Sequence, residues 1–158
     1  MTIQPESVPE IRGVLDRSAL QSYVNGHVHI GEIIREVADE DNVAVAIPAA
    51  ALAEAHADNS GDDHARKLLV LVTTLPGTTV LNLDREVAGS MAGAVRLTHG
   101  DLSRAHAVWT ANKYRALLFT TEPGDVKSLV PSNNIIAIST EERVTGLREP
   151  TAGSSMSQ

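Results

Sequence analysis

No cysteine occurs anywhere in the chain, which excludes disulfides and thiolate-held metal sites outright. Aromatic residues are almost as scarce, at 3% of 158 residues, so the core has to be aliphatic and rich in alanine. Small alanine side chains let helices lie close against a sheet, which suits a layered α/β packing. No uninterrupted apolar run reaches the about 18 residues of a membrane span. The opening MTIQPESVPE lacks the basic and apolar regions of a secretory signal. A cytoplasmic soluble protein with no membrane attachment is the expectation. Basic residues are in deficit too, 13 Lys and Arg against 20 Asp and Glu, for a net charge of -7. That argues against broad nucleic-acid affinity resting on a basic face, though not against a nuclease whose acids share one metal-filled cleft.

The length suits one ordinary domain. Residues 1–10 read as a loose lead-in, 11–139 as the folded unit, and 140–158 as a polar, disordered tail. Strands are expected at Ile11–Leu15, Val43–Ile47, Thr79–Leu83, Ala116–Thr121 and Ile135–Ser139. Between them, apolar residues recur at helical spacing, as in Ile30, Ile33, Ile34 and Val37. Helices are expected over Val28–Asp39, Ala49–Ala57, His64–Thr74, Asp84 to Val95, Leu102–Asn112 and Pro123–Leu129, with a helical turn or two in Ser18–Asn25. Asp58-Asn59-Ser60-Gly61-Asp62 reads as a helix break. Strands alternating with helices predict a three-layer α/β/α fold around a mainly parallel five-stranded sheet.

The apolar runs end in, or lead to, acids: Asp16, Glu54, Asp84 and Glu122. Parallel strands point one way, so such acids collect along one edge, where open α/β folds place their sites. Clustered carboxylates repel unless something cationic neutralises them, and a divalent metal on oxygen ligands is the usual solution. Each acid also has a plainer reading. Asp16, Asp84, Asp101, Glu122 and Asp125 all stand where a helix cap belongs, and Glu54 fits a solvated helix face. His106 reads as a packed histidine and Trp109 as core rather than a base-stacking platform. His27 and His29 are too isolated a pair to suggest zinc. A receiver or small phosphatase fits poorly, because no glycine-rich phosphate loop follows the first strand.

The layout resembles the PIN domain, the nuclease domain of the toxin half of many bacterial toxin–antitoxin pairs. The likeness covers about residues 11–139 and rests on VLDRSAL with Asp16, AIPAAALAEA with Glu54, the late helix HGDLSRAHAVWTA, and LLFTTEPGDVKSL after the fourth strand. It implies an endoribonuclease in which Asp16, Glu54, Asp101 and Glu122 hold Mg²⁺ or Mn²⁺. The metal would activate a water and neutralise charge on the phosphate. It implies RNA as substrate, a homodimer, and a small antitoxin protein as possible partner. The sequence departs from the pattern twice. Arg104 stands where the late helix should carry Asp before Ala, and Glu122 stands where Asp is usual. Arginine changes the local charge by two units and removes a ligand. Arg104 is therefore expected either to fill the place of the metal or to meet a substrate phosphate. Two functions follow: a metal-dependent endoribonuclease weakened at this site, or an inactive PIN-like module that binds nucleic acid or regulates a partner.

Overall fold

Successive residues of a strand point to opposite faces of a sheet, and this sequence loads both faces with apolar groups. In the computed structural model, which describes residues 8–140, β2 (Val43–Pro48) sends Val45 and Ile47 to one side and Ala44 and Ala46 to the other. β1 (Glu10–Leu15) and β4 (Leu117–Thr120) divide in the same way. β3 (Thr78–Leu81) and β5 (Ile135–Ala137) form the edges of a five-stranded, all-parallel sheet in the order β3-β2-β1-β4-β5.

One face buries Leu15, Val45, Ile47 and Phe119 beneath α1 (Arg17–Val24), α2 (Val28–Ala38), α3 (Ala49–Asp58) and α4 (Asp63–Thr74). The other buries Ile11, Val14, Ala44, Ala46 and Leu118 beneath α7 (Leu102–Tyr114) and α8 (Pro123–Val126). The result is the expected α/β/α layering. Among the described residues, no helix is long and apolar enough to cross a membrane.

Several boundaries differ from the sequence expectation. The single helix foreseen from Asp84 to Val95 divides at Met91 into α5 (Arg85–Ser90) and α6 (Ala92–Leu97). Gly89, Ser90 and Gly93 are weak helix formers, and Met91 is drawn into the interior at 1% exposure. β3 stops at Leu81 rather than Leu83, because its partner β2 ends at Pro48, opposite Leu81. Trp109 is half-buried with the Lys113 Nζ 5.0 Å from its ring centroid, so it is a surface cation–π platform and not core. The lead-in over residues 1–7 and the tail beyond residue 140 lie outside the described residues.

β1 carries a bulge. Ile11 pairs with Ala44 and Gly13 with Val45, leaving Arg12 as the extra residue. In a regular strand Ile11 and Val14 would face opposite ways. The bulge turns both toward α7 and leaves Gly13 under the Phe119 ring. A Cβ on Gly13 would lie 2.6 Å from Phe119 Cε2. We expect Gly13→Ala to reduce the unfolding free energy by about 1–3 kcal/mol, seen as a lower urea midpoint. An unchanged midpoint would mean the ring has room to move.

Candidate functional site

β1 and β4 are neighbours in the sheet although about a hundred residues separate them, and the chain leaves them in opposite directions. After β1 it enters α1 on one face; after β4 it enters α8 on the other. Such a switch point opens a crevice at the carboxyl ends of the strands. Here it is a cleft of about 880 Å³ lined by residues of α1, α7 and the β4–α8 turn, among them Asp16, Arg17, Ser18, Asp101, Arg104, Glu122 and Asp125.

Asp16 stands at the mouth of β1, 7% exposed. Its Oδ1 caps α1 by accepting from the Ala19 N–H at 2.9 Å and also accepts from the Ser18 hydroxyl at 2.6 Å. Ser18 in turn lies 3.2 Å from the Thr120 hydroxyl and accepts from the Thr121 N–H at 2.9 Å. Asp16 is thus both cap and cleft residue, and these bonds tie the ends of β1 and β4 together.

Burial pushes the Asp16 carboxyl above the usual carboxylate range, against hydrogen bonds from Ser18, Thr120 and Ala19 and the field of Arg104. The fold therefore favours the protonated form. The stability tied to it is complete below the unfolded value of about 3.9 and is lost as pH rises through the folded value. Above the unfolded value, its burial costs stability. Asp16→Asn keeps an oxygen for the cap and is expected to raise Tm near neutral pH, by about 2–4 °C per kcal/mol relieved. The gain should shrink as pH falls into the carboxylate range. A gain independent of pH would show that burial of charge is not its source.

Arg104 occupies the opposite wall. Asp101 caps α7, accepting from the Arg104 N–H at 3.1 Å. The guanidinium lies 3.1 Å from Glu122, 3.2 Å from Asp125 and 3.6 Å from Asp101. Glu122 and Asp125 are 51% and 55% exposed, so each contact is worth about 1 kcal/mol or less rather than the several of a buried pair. Near the same cleft, Arg17 donates from Nε to Asp58 at 2.6 Å and from Nη1 to Glu54 at 3.0 Å. These carboxylates hold the Arg17 guanidinium even more firmly in its charged form.

The cleft thus unites Asp16, Asp101, Arg104 and Glu122 of the expected residues. Glu54 is not in its lining; it sits on α3 and reaches the site only through Arg17. Asp58, read from the sequence as part of a helix break, is the last residue of α3 and lines the cleft. Its position four residues after Glu54, on the same helix face, was the available signal. Asp84 caps α5 through the Val87 N–H at 2.9 Å. His27 is buried beside the Ser22 hydroxyl, 3.0 Å from its Nδ1.

His106 is buried between the cleft-bearing helices α3 and α7. Its Nδ1 accepts from the Ala50 N–H at 3.3 Å, and its Nε2 has no partner among the described residues. Burial, with no charged group contributing, holds its pKa below the ordinary histidine value. The associated stability is present above the unfolded value of about 6.5 and is lost as pH falls. From about pH 7 to 5 the wild-type chain should therefore lose up to about 1.4 kcal/mol per pH unit more than His106→Leu. Parallel stability–pH curves would refute this.

Among the described residues no group of three or more His, Asp or Glu side chains is placed to hold a metal ion. The carboxylates that would ligate Mg²⁺ or Mn²⁺ are engaged by guanidinium groups or, for Asp16, by cap and hydroxyl donors. The donor set as arranged does not fit a divalent ion. No family model matches the chain, and no curated protein does.

Proposed function

We propose that this chain is a PIN-like module whose acid site is partly neutralised by its own arginines, and which binds or regulates a partner instead of hydrolysing RNA. The observation that carries the reading is the Arg104 guanidinium, held 3.1 Å from Glu122 and 3.2 Å from Asp125. It puts a fixed positive charge among acids where a metal-dependent nuclease needs a mobile water and an open coordination position. The cleft lining carries five carboxylates and two guanidiniums, a formal excess of three negative charges, which opposes entry of a phosphodiester without metal. A homodimer remains part of this proposal through the resemblance alone.

A second reading has one observation in its favour. Asp16 is deeply buried at the strand end yet faces the cleft with Asp101 and Glu122, and the exposed Arg104 contacts are weak enough to yield. On that reading the chain is a weak Mg²⁺- or Mn²⁺-dependent endoribonuclease, a toxin held by a small antitoxin.

The two readings separate on metal response. Under the first, Mn²⁺ leaves the wild-type Tm unchanged and no Mg²⁺-dependent cleavage of single-stranded RNA occurs. Arg104→Asp should then melt lower without metal, and saturating Mn²⁺ should raise its Tm by about 5–10 °C. Wild-type cleavage that needs metal and disappears in Asp16→Ala would overturn the proposal in favour of the nuclease.

A further inference from the structure

Outside the acid cleft, two basic residues stand side by side on α4. Arg66-Lys67 is the only adjacent pair of basic residues in the sequence. Asp63, Arg66, Lys67 and Val70 share one face of α4, at spacings of three and four residues. With His56 of α3 they line a groove of about 300 Å³ that shares no residue with the acid cleft. Arg12, Arg17 and Arg104 are all bound to carboxylates. Arg66 and Lys67 are not; neither has an ion pair or hydrogen-bonded side chain among the described residues. The His56 Nδ1 is buried with no hydrogen-bond partner among them.

We infer that this groove binds a phosphate group, free or as the phosphate of a nucleotide, between Arg66, Lys67 and His56. The arginine fork matches two phosphate oxygens, the lysine adds a compact charge, and histidine has a ring N–H to donate in either charge state. Asp63 is the single carboxylate in the lining, so two cations outweigh one anion. The site is open and its charges are exposed, so binding is weak and falls with salt, with Kd on the order of 1–10 mM. The inference stands independently of the reading of the acid cleft.

Titrating the ¹⁵N-labelled chain with inorganic phosphate at constant ionic strength tests it. Saturable amide shifts should appear at His56 and along residues 63–70, and Arg66→Ala with Lys67→Ala should weaken them at least about tenfold. Both side chains are exposed, so the double variant keeps the fold, checked by its unchanged Tm. Parallel titrations with a nucleoside 5′-monophosphate and a short single-stranded oligoribonucleotide identify the source. Tighter binding of either at the same amides assigns the nucleotide phosphate, and equal binding assigns the free ion. Shifts that do not saturate, fall elsewhere, or persist in the double variant would overturn the site.

Discussion

Carboxylates brought together at the end of a parallel sheet repel one another, and in this molecule the charges that partly offset them are covalently part of the chain. β1 and β4 end side by side, and the helix starts beside them place Asp16, Asp101, Glu122 and Asp125 around one cleft. Arg104 enters from the first turns of α7, oriented by the same Asp101 that caps the helix. A planar guanidinium suits this task, since it meets Glu122 and Asp125 at once. Because those acids stand half in solvent, the arrangement does little for stability. Its main effect is on the charge a ligand would meet.

Asp16 shows the tension between folding and site chemistry. Its first oxygen is committed to the α1 cap and to Ser18, and burial penalises its charge. A neutral residue there would suit the fold better, so the acid is a local violation of what packing favours. Such violations concentrate at functional sites. Arg17 adds a second local device, drawing Glu54 and Asp58 of α3 toward the start of α1. Glu54 is therefore connected to the cleft through a cation and not as a shared ligand.

The layers were legible because periodicity reports burial. Ala44 to Ile47 read as a continuous apolar run and proved to be a strand buried on both faces. The helices at Val28 and Leu102 began where the pattern put them, and the Asp84 and Asp101 caps formed as their positions suggested. Boundaries were less legible where a distant partner decided them, as Pro48 did for the end of β3. Met91 broke a helix that its neighbours' pattern joined, because the interior claimed its side chain. The β1 bulge at Arg12 left only a faint trace, the three-residue spacing of Ile11 and Val14. Trp109 and Lys113 stand four residues apart on one helix face, so their contact was legible, but nothing local said that the ring would lie at the surface.

By itself the sequence determined the α/β class, the order of its strands along the chain, and the acids that stand at their ends. Those properties follow from local pattern: apolar period, turn residues and capping side chains within a few positions of one another. Only the tertiary structure decided which charges meet. Arg104 and Glu122 are eighteen residues apart, and Arg17 and Asp58 forty-one. A guanidinium extends well beyond its own helix, and its partner is set by how the helices pack around the sheet, which no local spacing encodes.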